Sequence, residues 1–189
     1  MNNTPALRIR PAGPLVGTVA LPGDKSISHR ALLFSAIADG VSRIENFLVA
    51  GVTSAMMDCL QDLGAHIEID RSGDREISAG TLVVQGRGLR GLDAPKRDLN
   101  CRGSVTTMRL MAGVLAGQQF RSTLDGNPRL RMRPMDRVVV PLREKGARIE
   151  THNGNAPLTF MPSELRGSEH LLAVASAQVK SALLFAGLF

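Results

Sequence analysis

Residues 23–30 read Gly23-Asp24-Lys25-Ser26-Ile27-Ser28-His29-Arg30. A glycine, two serines and two cations within eight positions suit the capture of an anion. Gly23 permits a tight turn. Ser26 and Ser28 offer hydroxyls beside the free N–H groups of a helix start, and Lys25 and Arg30 add charge. A helix N-terminus carries roughly half a positive charge of its own, so such a turn attracts phosphates and carboxylates. Ordinary serine capping with solvated charges would use the same residues, and this stretch alone leaves both readings open. The phosphate loop of nucleoside triphosphatases is excluded: it needs Gly directly before Lys, and Asp24 intervenes.

The same ingredients recur twice. Asn100-Cys101-Arg102-Gly103-Ser104-Val105-Thr106-Thr107-Met108-Arg109 is the second copy, and Ser176-Ala177-Gln178-Val179-Lys180-Ser181 the third. The apolar runs that follow are also alike: Arg30-Ala31-Leu32-Leu33-Phe34 matches Lys180-Ser181-Ala182-Leu183-Leu184-Phe185 loosely, and Thr107-Met108-Arg109-Leu110-Met111 more loosely still. Nearly equal spacing of Ser26, Ser104 and Ser176 suggests a β-α-β-α-β-β unit used about three times. Units related by rotation would aim their helix starts at one face, where the dipoles sum on a polyanion. A basic run from Arg129 to Arg148 is mostly solvated helix charge; Arg133, before Pro134, has the best position to face a cleft.

Composition narrows the partners. The 189 residues carry 23 Lys and Arg against 17 Asp and Glu, a net +6. With 43% hydrophobic and 21% charged residues, the chain is a folded globular one. Aromatics are scarce (Phe 6, Tyr 0, Trp 0), so a stacking platform for single-stranded nucleic acid is disfavoured, although charge alone can bind a nucleic-acid backbone. His29, His66, His152 and His170 have no ligand spacing, and no metal is implied. Cys59 and Cys101 form no CxxC pair and read as the reduced thiols of a cytoplasmic protein. Residues 1–15 lack the apolar core of a signal peptide.

The positioning elements alternate. Strands are expected at residues 15–21, 43–48, 66–70, 81–84, 120–124, 148–151, 157–161 and 171–175, with a turn at 71–75. Helices are expected at 26–38, at 53–63 capped by Thr53 or Ser54, at 105–116, from Pro134 to Lys145 with a bend or interruption at Pro141, and from Ser176. The last 19 residues are mostly apolar, but Ser176, Gln178, Lys180 and Ser181 argue for a buried strand and helix over a membrane span. The absence of a stop signal after Phe189 suggests the front part of a longer protein.

At this level the sequence resembles the 5-enolpyruvylshikimate-3-phosphate synthase (3-phosphoshikimate 1-carboxyvinyltransferase) family. Residues 21–30, Leu21-Pro22-Gly23-Asp24-Lys25-Ser26-Ile27-Ser28-His29-Arg30, resemble its first signature. Arg133-Pro134-Met135-Asp136-Arg137-Val138 and residues 176–184 resemble two further blocks. The resemblance implies an α/β fold, an inside-out α/β barrel of repeated β-α-β-α-β-β units, of which this chain holds an incomplete first domain. Residues 1–14 would be an N-terminal segment and 15–189 the truncated domain. The implied reaction moves the enolpyruvyl group of phosphoenolpyruvate to the 5-hydroxyl of shikimate 3-phosphate, in aromatic amino-acid biosynthesis, by addition and elimination and without a cofactor.

By the same resemblance, Lys25, Ser26, Arg30, Ser176, Ala177 and Gln178 would hold shikimate 3-phosphate, and Lys25, Arg133 and Gln178 phosphoenolpyruvate. Family members usually read Gly-Asn-(Ser/Ala)-Gly-Thr where this chain has Arg102-Gly103-Ser104-Val105-Thr106, so Val105 would crowd the phosphoenolpyruvate pocket. Val52 replaces a usual Asp. The catalytic groups are expected in a C-terminal domain, absent here or carried by a separate half. Little turnover is expected of the chain alone. The alternatives are a non-catalytic remnant that binds phosphorylated ligands and, further off, a basic nucleic-acid-binding domain. No membrane partner is expected.

Overall fold

A computed structural model describes residues 7, 8, 10, 11, 13–71, 78–172 and 174–189. Helix α1 (Lys25–Ile37) leads into strand β1 (Asp39–Val49), helix α2 (Gly51–Asp62), and strands β2 (His66–Arg71) and β3 (Ser78–Arg87). A second unit follows: β4 (Leu99–Asn100), α3 (Val105–Leu115), β5 (Ser122–Asp125), a single turn α4 (Pro128–Arg131), α5 (Asp136–Glu144), β6 (Arg148–His152) and β7 (Asn155–Met161). Helix α6 (Ala177–Ala186) ends the chain. The expected β-α-β-α-β-β order is thus complete in the second unit. The first unit lacks an opening strand, and the third contributes only its helix.

Each unit folds its strands into one sheet. The first has the order β1-β3-β2, antiparallel throughout. The second has the order β4-β5-β7-β6, in which only β4 and β5 are parallel. Helices cover the sheets, and α3 lies deepest, with nine of its eleven residues buried. It crosses α6 closely enough that a Cβ on Gly113 would lie 2.2 Å from the Ala182 carbonyl oxygen. Each leucine that α1 and α3 bury contributes roughly 1.5–3 kcal/mol of transfer free energy.

Several expectations fail for physical reasons. Residues 15–21 form no strand: Leu15, Val16, Val19 and Leu21 stand in solvent, and no neighbouring strand completes their hydrogen bonds. The strand expected at 171–175 is irregular in its described residues, and the turn at 71–75 falls almost wholly outside them. The α2 helix begins before its expected cap. Ala50 is the N-cap, and Thr53, one turn inside, accepts from the Ala50 N–H (3.0 Å) and donates to the Leu48 carbonyl (2.7 Å). Helix α5 starts at Asp136 rather than Pro134, because the Met135 N–H is drawn to the Gly154 carbonyl (2.9 Å). Pro141 does not interrupt it; the Arg137 carbonyl it leaves without a helical donor belongs to an exposed residue.

Gly23 is needed for close approach more than for its backbone angles. A bulge between Ile44 and Phe47 turns Asn46 to φ 51°, and a Cβ on Gly23 would lie 1.9 Å from the Asn46 carbonyl oxygen. Next to it, the Leu48 N–H donates to the buried Ser28 hydroxyl (3.0 Å). The start of α1 is thereby seated on β1. Cys59 and Cys101 are free and buried. The Cys101 thiol is pushed well above its ordinary value, first by its hydrogen bond with Cys59 and then by burial. Among the described residues no helix is long and apolar enough to cross a membrane.

Candidate functional site

The starts of α1, α3 and α6 are capped by side chains, each satisfying an otherwise unpartnered backbone donor. Asp24 accepts from the Ile27 N–H (2.8 Å), Ser104 from Thr107 (3.2 Å) and Ser176 from Val179 (3.4 Å). The α1 cap is therefore Asp24, which leaves the Ser26 side chain exposed and free of capping duty. Ser28, by contrast, is used internally.

Side chains tie these starts together. Arg30 donates from Nε to Ser181 Oγ (2.9 Å), from Nη2 to the Ala177 carbonyl (3.1 Å) and from Nη1 to the Ser26 carbonyl (3.0 Å). It clamps α1 to α6. Gln178 joins α6 to α3: its Nε2 donates to Thr106 Oγ1 (3.0 Å), and its Oε1 accepts from Arg109 Nη1 (2.9 Å). Arg109 Nη2 also donates to the Pro134 carbonyl (3.2 Å), which brings the turn bearing Arg133 to the same place. Burial lowers the Arg109 pKa, with help from the charges of Arg137 and Arg133.

The predicted residues therefore sort into two groups. Ser26, Arg30, Ala177 and Gln178 are linked through the contacts above, with Ser176 as the α6 cap and Arg133 beside Arg109. Lys25 sits exposed at the first residue of α1, and its ammonium has no partner among the described residues. Elsewhere Arg87, Arg97, Arg102 and Arg131 are each paired with a carboxylate. Lys25, Arg30, Arg109, Arg133 and Arg137 form no ion pair among the described residues. A face with several unneutralised cations and three helix starts suits a multiply charged anion. No group of three metal-ligating side chains occurs among the described residues. The site is an open face; an apolar cavity of about 420 Å³ lies apart from it, between Phe34, Ile37, Leu89 and Leu188.

Sequence reasoning placed Arg109, Thr106 and His29 within the helix-start segments but gave none of them a role in the site. An arginine inside an otherwise buried run, Thr106-Thr107-Met108-Arg109-Leu110-Met111, was the available signal, since such a charge is costly without a purpose. His29 is fully buried, with Nδ1 2.7 Å from the Lys25 carbonyl and Nε2 3.2 Å from the Val52 carbonyl. Thr107 Oγ1 lies 3.1 Å from that same Val52 oxygen, so the starts of α1, α2 and α3 meet here.

Burial holds the His29 pKa below its ordinary 6.5, against the opposing pull of the two carbonyls. Above pH 6.5 the ring is neutral in both folded and unfolded chains, and stability does not change on its account. Below it the unfolded chain takes up the proton first, so stability falls as pH falls towards the folded value. Thermal melts between pH 7.5 and about 5 should show this decline, and His29→Asn, which keeps one donor, should flatten it. Parallel curves for the two chains would exclude His29 as the cause. Asp125, held below 3.8 chiefly by its hydrogen bond from Arg131, takes up its proton only at lower pH.

The fold places the chain in a class before a family is considered. Two solved structures described as EPSP synthase from Acinetobacter baumannii superpose on it with a TM-score of 0.83, at 39% identity, covering 91% of this chain and 38% of theirs. It is part of a mixed α/β structure of the enolpyruvyl transferase type.

The chain belongs to the EPSP synthase (3-phosphoshikimate 1-carboxyvinyltransferase) family, whose sequence model matches residues 9–189. Among its relatives, the 3-phosphoshikimate 1-carboxyvinyltransferase of Salinibacter ruber is 47% identical over 181 residues, 94% of this chain and 40% of that protein. That of Herpetosiphon aurantiacus is 48% identical over 176 residues, 92% of this chain and 39% of that protein. The chain spans about two fifths of the length of the curated relatives it matches.

Proposed function

We propose that residues 15–189 form the N-terminal domain of a 3-phosphoshikimate 1-carboxyvinyltransferase, acting in the cytoplasm, and that this chain carries the shikimate 3-phosphate half of the site. The observation that carries the reading is the meeting of the α1, α3 and α6 starts, held by Arg30 and Gln178, beside the unpaired Lys25. Lys25 and Ser26 would hold the phosphate and carboxylate of the ligand, with Ser176 and the backbone of Ala177 on the opposite side. Gln178 would reach both substrates. Arg133 would fork onto the carboxylate or phosphate of phosphoenolpyruvate.

In the full reaction the 5-hydroxyl of shikimate 3-phosphate adds to phosphoenolpyruvate, and phosphate leaves from the tetrahedral intermediate. This chain's share is to bind and orient. The proton-transferring group and further cations would come from the remaining three fifths of the family's length, on the same or a separate chain. A site divided this way cannot reach near-attack geometry with one part. Val105, the first residue of α3, puts a branched side chain where phosphoenolpyruvate would approach, so the shikimate 3-phosphate half is the stronger one. The relatives do not favour either the remnant or the nucleic-acid reading.

Calorimetric titration of the 189-residue chain with shikimate 3-phosphate, followed by a phosphate-release assay with phosphoenolpyruvate, tests this. Saturable binding without turnover is expected. No binding overturns the half-site, and turnover at an ordinary enzymatic rate overturns the division of labour.

A further inference from the structure

Arg109 is an expensive residue for its place. It interrupts the buried surface of α3, faces the like charges of Arg133 and Arg137, and meets no carboxylate among the described residues. Its Nε is fully buried and has no hydrogen-bond partner. Its two remaining contacts are both to oxygen acceptors, Gln178 Oε1 and the Pro134 carbonyl. A buried, unsatisfied guanidinium nitrogen costs stability, so packing alone does not explain an arginine here.

The contact with Gln178 carries specific information. A glutamine amide has a donor end and an acceptor end of nearly the same shape, and its partners decide which end faces where. Thr106, the other partner, decides nothing, because a hydroxyl both donates and accepts and would suit either end. A guanidinium only donates, so it accepts no amide N–H as a partner. Arg109 therefore fixes Oε1 on the guanidinium and leaves Nε2 on Thr106. The Nε2 group then spends one hydrogen on Thr106 and meets no second acceptor among the described residues.

We propose that Arg109 is a positioning residue that sets the amide of Gln178 so that the site meets an N–H donor and never the carbonyl oxygen. The proposal rests on the reading of Gln178 as a ligand contact. An anion brought against Oε1 would meet repulsion; against Nε2 it meets a charge-assisted hydrogen bond. The tether to Pro134 serves the same end, since it stops the guanidinium from swinging away and holds the turn that bears Arg133 at a set distance from Gln178.

The test has a part that needs no ligand. In the free chain with ¹⁵N-labelled glutamine, one of the two Gln178 Nε2 hydrogens should be slowed in exchange by Thr106, and contacts from both should place Nε2, not Oε1, beside Thr106. Arg109→Met, of similar length and without donors, should remove that slowing and spread the Nε2 contacts over two amide orientations, and Arg109→Lys should restore the single one. Should Arg109→Met fail to fold, Thr106→Val decides: the amide orientation, read by contacts from the Nε2 hydrogens to their neighbours, is expected to persist because Arg109 still sets it. The second part measures shikimate 3-phosphate affinity. Arg109→Met and Gln178→Glu should each weaken binding about tenfold or more, and the double variant should be no weaker than Gln178→Glu alone. Unchanged Gln178 signals in Arg109→Met, a reversed amide in Thr106→Val, or losses that simply add would overturn the proposal. If the parent chain binds no shikimate 3-phosphate, the functional reading fails, while the signals of the free chain still decide the role of Arg109.

Discussion

Gly113→Ala should lower the thermal midpoint of this chain by about 4–8 °C, corresponding to roughly 2 kcal/mol for a domain of this size. In an isolated helix the same change would stabilise by about 1 kcal/mol, since alanine is the better helix former. The crossing of α3 and α6 reverses the sign. The added Cβ would stand 2.2 Å from the Ala182 carbonyl oxygen and 2.8 Å from the Ala182 Cα and carbonyl carbon. These are backbone atoms, which no change of rotamer can move aside, so the helices must separate. Gln178 spans the same two helices one turn before Ala182, and its contact with Thr106 should lengthen in consequence. Gly51→Ala is the matched control: a Cβ there meets nothing within 4 Å, at the exposed first residue of α2. Equal midpoints for Gly113→Ala and the parent chain would show that α3 and α6 do not pack this closely.

Lys25→Met is expected to weaken shikimate 3-phosphate binding by about 10- to 100-fold, the loss of one charge-assisted contact, and to leave the thermal midpoint where it was. The two expectations separate because Lys25 is exposed and its ammonium holds nothing else among the described residues. Arg30→Met should behave differently. Arg30 joins α1 to α6 through Ser181 and Ala177, so its loss should reduce stability along with affinity. Calorimetry paired with melting curves reads both quantities, with Arg97→Met, which breaks only the exposed pair with Asp62, as a control for general charge. A change in affinity under about threefold for Lys25→Met would remove that residue from the site.

The helices that build this site were readable because their signals are local. Asp24, Ser104 and Ser176 stand where capping residues stand, and apolar runs follow each of them. The repeated order of elements was readable for the same reason, and the second unit realises it fully. The strands assigned to residues 15–21 and 171–175 failed because alternation shows only that a segment could join a sheet. Hydrogen-bond partners lie on other strands, and no local pattern supplies them. The turn before α5 was misplaced for a related reason: a contact with Gly154, distant in sequence, sets where the helix begins.

Within the site, the residue types were legible and their duties were not. Arg30 reads as a ligand-binding cation, yet three of its donors are committed to protein oxygens. Arg109 reads as part of a turn motif, and its partners Gln178 and Pro134 come from two other segments. Such roles depend on which helices become neighbours, and that is settled by burial and by small residues such as Gly113 at the crossing.

The Arg30 clamp also sets a timetable for biosynthesis. Its partners Ala177 and Ser181 lie 147 and 151 positions further along the chain. At translation rates of about 5–20 residues per second, α1 leaves the ribosome roughly 10–30 s before the helix it must grasp. During that interval the guanidinium has only its local carbonyl, and the three-stranded sheet, whose pairings are all early, can form around it. The face where α1 meets α6 therefore matures later than the three-stranded sheet. A ligand held between α1 and α6 would find both of its walls only after residue 181 has been made, and could steady the domain from then on but not before.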